Sequence, residues 1–314
     1  MKYNPSKKNN IVSIILLTKN AGKNFNRTLE KLIEQEYDGK YEIILIDSGS
    51  RDCTLDIAKK YAIQIHEIPP CKFGHGKTRN LAIELSRGAI LVYLTQDAIP
   101  TNNTWLREIV KGLENHKVAG IYGRQIPKEN ANPMEIFFLS RFYPNKTNKE
   151  QLKINKMNNN VFFSNVNSAI NKEVLKKYKF SEETFIGEDQ EWANRVTNAG
   201  LKVLYNPKAI VYHSHQYTLK GVFKRFYDSG SALISIENRK SSAFIKEGLS
   251  YYLDEFKFLY NNGYRKWIPY AFIYDMIKFL GFMIGKRNKY LPISLRNRLS
   301  MYFSIKNKIN KDYF

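Results

Sequence analysis

Tyr41-Glu42-Ile43-Ile44-Leu45-Ile46-Asp47-Ser48-Gly49-Ser50-Arg51-Asp52-Cys53-Thr54 is an apolar run that ends abruptly on an acid and a turn. A run of β-branched and leucine residues this short, closed by Asp-Ser-Gly-Ser, predicts a buried strand feeding a loop. Asp52 then caps a helix carrying Leu55, Ala58 and Tyr61. The same grammar holds on either side. Ile11–Thr18 is another apolar run, followed by Asn24 as a cap and by Leu29, Leu32 and Ile33 at helical spacing. A short strand over Ile63–Ile68 stops at Pro69-Pro70, a helix over Lys77–Arg87 stops at Gly88, and Ala89–Leu94 is strand again, with a helix after Thr101.

Strand–helix alternation with continuously apolar strands implies a parallel sheet covered on both faces. Ligands of such sheets sit at the carboxyl ends of the strands. Thr18-Lys19-Asn20, Asp47-Ser48-Gly49-Ser50 and Gln96-Asp97 all fall there, so residues far apart in sequence should converge. Further on, Asn145–Asn160 holds six Asn and four Lys and reads as a loop, after which strand-like Phe162–Ile170 resumes. A helix opens at Gly187-Glu188-Asp189 and ends at Gly200. Two strands follow, Leu201–Asn206 and Ala209–Tyr212. The expected organisation is a polar, flexible segment 1–10, an α/β domain over 11–217, and a helical region over 218–314.

Composition narrows the partners. The chain has 314 residues, 43% of them hydrophobic, and a formal charge of +21. Residues 218–314 hold 18 Lys and Arg against 7 Asp and Glu, about half of the excess, among many Tyr and Phe. Such a surface suits a polyanion: nucleic acid, anionic lipid or phosphorylated substrate. No nucleic-acid reading motif accompanies it, which favours an anionic membrane and lipid-linked substrates. The two cysteines, Cys53 and Cys71, form no disulfide framework and point to a reduced compartment. The apolar stretch Tyr270–Gly285 is shorter than a membrane span and carries Asp275 and Lys278 on one helical face. It fits an interfacial helix or a core helix.

Several side chains have the chemistry of a site, and each also has a plain structural reading. Asp47 can accept the imide N–H of a pyrimidine base, or merely hold a turn with Ser48 and Gly49. Asp97, in Leu94-Thr95-Gln96-Asp97-Ala98, suits a hard divalent cation bridging a diphosphate, or caps a helix. Glu188 and Asp189 lie where a helix dipole stabilises anions, which serves either a general base or the helix itself. His213 and His215 fall on one side of an extended segment, as possible ligands or structural imidazoles. His75, Lys77 and Arg79 at a helix start form a diphosphate cradle or a solvated basic face.

The order of these signals is more specific than any one of them. Thr18-x-Asn20, Asp47-Ser48-Gly49-Ser50-x-Asp52-x-Thr54, Thr95-Gln96-Asp97-Ala98 and Glu188-Asp189-x-Glu191-Trp192-Ala193-x-Arg195 together resemble the family-2 glycosyltransferases of GT-A fold, over roughly 11–215. Phe73-Gly74-His75-Gly76-x-Thr78-Arg79-Asn80 with Leu94-Thr95-Gln96-Asp97-Ala98 is similar to the rhamnosyltransferase branch. Phe223-Lys224-Arg225-Phe226-x-Asp228-x-Gly230 and Leu291-Pro292-x-x-Leu295 resemble that branch's carboxy-terminal region. The resemblance implies an inverting transferase using a dTDP- or UDP-linked sugar, dTDP-rhamnose first. It also implies Mg2+ or Mn2+ as cofactor and a glycan or lipid-linked acceptor, for an enzyme at the cytoplasmic face of the cell membrane. By the same resemblance Thr18, Asn20, Asp47, Ser48, Gly49, His75, Lys77, Arg79 and Gln96 would bind the donor, Asp97 the metal, and Asp189 beside Glu188 would be the base. The usual Asp-x-Asp metal motif is reduced here to one acid, with His213 as the candidate second ligand and a metal held mainly by the donor diphosphate as the alternative. A sugar-nucleotide nucleotidyltransferase is the rival enzyme and would release pyrophosphate instead.

Overall fold

A computed structural model describes residues 11–146, 161–184, 186–233 and 241–301. The expected flexible segment 1–10 and most of the Asn145–Asn160 loop lie outside the described residues. The chain forms two compact units. The first comprises residues up to Ile126 and Tyr143–His213; the second comprises Pro127–Phe142 and Ser214 onward. The division falls after His213, and the excursion Pro127–Phe142 belongs with the second unit.

In the first unit, strands β1 (Val12–Thr18), β2 (Tyr41–Asp47), β3 (Gln64–Glu67), β4 (Ile90–Thr95), β5 (Ile99–Pro100), β6 (Val118–Ile126), β7 (Asn167–Asn171) and β8 (Lys202–Tyr212) form one sheet. Its order is β3-β2-β1-β4-β7-β6-β8-β5. The first four strands pair in parallel, as expected, because helices α1 (Phe25–Ile33), α2 (Thr54–Ala58) and α3 (His75–Leu85) return the chain each time. Beyond β4 the sheet becomes mixed: β7 runs antiparallel to both β4 and β6, while β6 and β8 are parallel. Val12, Ile14, Ile15 and Leu16 are all 0% exposed, so β1 is covered on both faces. One face packs on α1, α2 and α4 (Trp105–Val110) through Leu29, Leu32, Trp105 and Ile109. The other carries rings: Tyr93 lies 5.7 Å from Phe180, and Phe180 lies 5.8 Å from Trp192.

Several local expectations change. The two strands read over 201–212 are one, β8, with an irregular register where Gly123 pairs with Asn206 and Arg124 with Ile210. Asn24 precedes α1 but its side chain makes no capping bond. Helix α2 ends at Ala58, leaving Tyr61 outside, and α3 stops at Leu85, where Ser86 turns extended well before Gly88. Both cysteines are free and half-buried.

The second unit is helical: α5 (Pro133–Phe142), then α8 (Leu219–Leu233), α9 (Ser241–Asn261), α10 (Ile268–Lys286) and α11 (Ile293–Leu299), while α6 (Lys172–Lys177) and α7 (Glu188–Asn198) belong to the first unit. With the turn before α10, Arg265–Lys286 reaches 22 residues and is long and apolar enough to cross a membrane. That corrects the expectation that this stretch is too short, because the helix begins before Tyr270. Inside the unit, Glu255 is buried beside Asp275 and Tyr251. Burial first, and then the carboxyl of Asp275, push its pKa up to about 9. The neutral form is the one the fold favours, so its stability contribution is full below the ordinary glutamate pKa and declines as pH rises toward about 9. A Glu255→Gln variant should therefore lose less melting temperature than wild type between neutral and alkaline pH; parallel curves would contradict the assignment.

Candidate active site

Register brings the strand ends together. Thr18 is the partner of Asp47, and Leu17 the partner of Thr95. The three polar clusters therefore sit side by side at one edge of the parallel strands, as the alternation implied.

Asp47 is 0% exposed. Its Oδ1 accepts from the N–H groups of Gly49 and Ser50 at 2.9 and 2.7 Å. Its Oδ2 accepts from Thr18 Oγ1 at 3.0 Å and Ser50 Oγ at 2.5 Å. Four donors occupy the four lone-pair positions of the carboxylate. The carboxylate thus anchors the turn and shapes the surface that the turn presents beside Thr18. Ser48 continues the lacing, with its N–H and Oγ both donating to Thr18 O. Asn20, exposed at φ 49, receives Arg51 N–H on Oδ1 and gives its own N–H to Ser50 Oγ. Gln96 bridges back from β4, accepting Lys19 N–H at 2.8 Å and donating to Lys19 O at 3.3 Å. Asp52 was expected as a helix cap. It accepts from Thr54 N and Oγ1 and also from Gly22 N–H, so it ties the loop after β1 to the turn after β2.

Asp97 follows β4 with 36% of its side chain exposed, and its Oδ2 lies 3.5 Å from Nε2 of buried His213. His213 ends β8's extension, and its Nδ1 faces Gln125 Oε1 at 2.8 Å. Gln125 Nε2 donates to Ser164 Oγ at 3.3 Å, so the amide bridges the ring and the Ser164 hydroxyl. With Nδ1 as the donor to Gln125 Oε1, the Nε2 lone pair is left on the Asp97 side, the tautomer a metal ligand requires. One carboxylate oxygen and one oriented imidazole nitrogen fit a divalent cation such as Mn2+. His215 belongs to the second unit, where its N–H faces Glu135 Oε1 at 3.3 Å.

The residue after Ser164 reaches the other carboxylate. Asn165 N–H donates to Asp189 Oδ2 at 3.1 Å, and Gln190 N–H donates to Oδ1 at 2.9 Å. Asp189 opens α7, half-buried. Burial raises its pKa most, the Glu188 carboxylate adds to that, and Arg79 with the two N–H groups pulls it back, leaving it at about 6. A carboxyl with that pKa is a usable base near neutrality. With Asp189 as the base, activity should fall as pH drops through about 6; a rate independent of pH between about 5 and 8 would contradict that role.

Arg79 is buried and forms an ion pair with Glu188, which braces the start of α7. Its carbonyl accepts from Tyr93 Oη. Lys77 is exposed and His75 half-buried, with its ring edge-on to Phe73 at 5.1 Å. Gly76 and Asn80 of this motif hold the segment at Phe180 and Ser181 against α3. A Cβ on Gly76 would lie 2.0 Å from Ser181 O, and Asn80 bonds both N–H and C=O of Phe180. Gln125, Ser164 and Asn165 escaped sequence reading; a polar residue inside a strand was the available signal for Gln125.

A parallel half-sheet continued by a mixed half, with an acid at the β4 end and a carboxylate at a later helix start, is the GT-A arrangement. The family described as glycosyl transferase family 2 matches residues 13–179. The O-antigen chain rhamnosyltransferase RfbN of Salmonella typhimurium is 34% identical over 306 residues, covering 95% of this chain and 96% of that protein. The O-antigen chain rhamnosyltransferase WbaN of Salmonella anatum is 35% identical over 304 residues, with coverage of 95% and 96%. Among solved structures, mannosyltransferase PcManGT from Pyrobaculum calidifontis, in complex with GDP-Man and Mn2+, has a TM-score of 0.58 at 16% identity, covering 87% of this chain and 86% of that one. Glucosyl-3-phosphoglycerate synthase from Mycobacterium tuberculosis, with Mn2+, UDP and phosphoglyceric acid, has a TM-score of 0.52 at 15% identity, covering 74% and 80%. At such identities the likeness speaks for the fold. The chain belongs to glycosyl transferase family 2.

Proposed function

We propose that this glycosyltransferase moves L-rhamnose from dTDP-rhamnose to a hydroxyl of a glycan or lipid-linked saccharide, with inversion, during synthesis of a cell-surface polysaccharide. The observation that carries the sugar assignment is the match to two O-antigen rhamnosyltransferases along 95% of the chain. Asp189 takes the proton of the acceptor hydroxyl, whose oxygen attacks the anomeric carbon from the side opposite the diphosphate. The bond to the diphosphate oxygen breaks, and nucleoside diphosphate leaves. A single displacement inverts the anomeric centre and needs no enzyme nucleophile. Asp97 and His213 would hold a Mg2+ or Mn2+ ion, which supplies charge neutralisation at the leaving diphosphate when bound. Lys77 and His75 at the start of α3 face the same task, with Arg79 positioning the base. The turn shaped by Asp47, Ser48 and Gly49, with Thr18, Asn20 and Gln96, receives the pyrimidine nucleotide. The enzyme works in the cytoplasm, peripheral to the inner face of an anionic membrane that carries its lipid-linked acceptor.

Thermal shift with nucleotides, with and without Mn2+, tests the donor reading. A ligand at about 100 times its Kd adds about 2.7 kcal/mol to the native state. dTDP and dTDP-rhamnose with Mn2+ should raise the melting temperature most; a preference for GDP or ADP would overturn the pyrimidine assignment. Gln125→Leu removes the acceptor that orients His213, and should weaken Mn2+ binding about 10–100-fold, with Gln125→Glu retaining more of it. Equal Mn2+ affinity in all three proteins would remove His213 from the site.

A further inference from the structure

The exposed side chains of the second unit are sorted by chemistry. On α10, Phe272, Ile273, Met276, Phe279 and Leu280 are each between 45% and 52% exposed. At 100° per residue they fall within one stripe about a third of the helix circumference wide. That stripe contains no charge. On α9, Leu249, Leu253, Phe256 and Tyr260 stand at 42% to 59% exposure, spaced four, three and four apart. Beside the α9 stripe, the half-buried Tyr252 ring lies 6.2 Å from the Phe272 ring of α10. The charges of α10 are on its packed side: Asp275 and Lys278 pair at 2.9 Å, each 16% exposed, with Lys278 4.6 Å above the Tyr274 ring. Contiguous apolar surface of this extent marks an interaction site.

Its rim is basic. Arg265 and Lys266 precede α10, Lys286 ends it, Arg287 and Lys289 follow it, and Lys257 lies on α9 beside Phe256. From Phe256 to Met301 the sole acid is Asp275, and it is already paired. An apolar stripe edged by cations is complementary to a leaflet with anionic headgroups.

Helix α10 is long enough to span a bilayer, but its packing excludes that orientation. A Cβ on Gly281 would sit 2.5 Å from Phe223 O, and one on Gly285 would sit 2.1 Å from Tyr227 O. From the other side, a Cβ on Gly230 would meet Phe282 O at 2.2 Å. Helices α8 and α10 thus touch backbone to backbone. Because α8 carries Lys220, Lys224, Arg225 and buried Asp228, spanning would draw those charges into hydrocarbon, which strongly disfavours it.

We infer that α9 and α10 form an in-plane membrane-docking face, inserting the 249–260 and 272–280 stripes among acyl chains while the basic rim meets anionic headgroups. The inference deepens the membrane reading proposed above and rests on it. The test is co-sedimentation of the full chain with phosphatidylcholine vesicles, with and without phosphatidylglycerol. Wild type should sediment with the anionic vesicles and be released by high salt or carbonate. The double variant Met276→Glu/Phe279→Glu changes exposed positions, so it should keep its melting temperature and nucleotide binding while losing about ten-fold or more of its vesicle partitioning. Lys266→Glu/Lys289→Glu should lose the preference for anionic vesicles. Wild type binding with the double variant undiminished would overturn the docking face and leave the membrane reading standing. Wild type failing on both vesicles would overturn both. Resistance to carbonate would overturn the in-plane orientation. A dimer seen by light scattering, broken by Met276→Glu and without lipid binding, would assign the face to a second copy and overturn the proposal.

Discussion

Asp189→Asn should lower kcat by about 10²–10⁴-fold while leaving nucleotide affinity within error of wild type. The carboxylate is held on both oxygens by backbone N–H groups, from Asn165 at 3.1 Å and Gln190 at 2.9 Å. Those donors fix where a proton is received, and they favour the charged form that receives it. An amide keeps the shape and cannot take the proton. Its nitrogen would also face one of the two N–H donors, so Asp189→Ala, which removes that clash, should show a similar loss. Burial and Glu188 set the pKa at about 6, against the pull of Arg79, so the acid limb reports a coupled pair and not an isolated aspartate. Normal turnover by either variant would remove Asp189 from the chemistry.

Arg79→Met should produce the largest combined effect on stability and catalysis. The guanidinium and the Glu188 carboxylate pair at 8% and 6% side-chain exposure. Removing one partner leaves the other charge buried alone, which costs about 3–5 kcal/mol. The same change removes the cation that lowers the pKa of Asp189. The acid limb of the rate profile should therefore move to higher pH, a shift that general destabilisation would not cause. The double variant Arg79→Met/Glu188→Gln tests the logic, because it removes both charges; it should recover much of the lost stability. If it is no more stable than Arg79→Met, the pair is not what holds α7 in place.

How far the sequence spoke depended on which physical rule governed each stretch. Strands β1, β2 and β4 were legible because burial on both faces demands continuous apolar runs, and Tyr41–Asp47 was read to the residue. Strand β6, Val118–Ile126, passed unnoticed. Its sequence interrupts the apolar run at Gly120, Gly123, Arg124 and Gln125, and the interruptions have structural causes. A Cβ on Gly123 would lie 2.3 Å from Ala209 O, where β8 shifts register, and Gln125 is the buried partner of His213. The α/β rhythm of the first half also concealed the mixed half, since an antiparallel β7 leaves no local mark.

The site shows the same division. Strand ends, helix starts and the order of Asp47, Asp97 and Asp189 follow from local pattern. What each side chain does there depends on contacts across long separations. Arg79 looked like a phosphate ligand because it follows a helix start, yet its partner Glu188 lies 109 residues away. Asp47 ends a strand, which local pattern shows, but its bonds to the turn and to Thr18, 29 residues away, do not show in the local sequence.

The central claim is sugar transfer from a pyrimidine nucleotide, and the most direct measurement is the identity of the nucleotide released. Purified protein given dTDP-rhamnose, Mn2+ and a lipid-linked saccharide should release dTDP only when acceptor is present, with rhamnose appearing on the acceptor in inverted anomeric configuration. Release of pyrophosphate, or retention of configuration in the product, would contradict it.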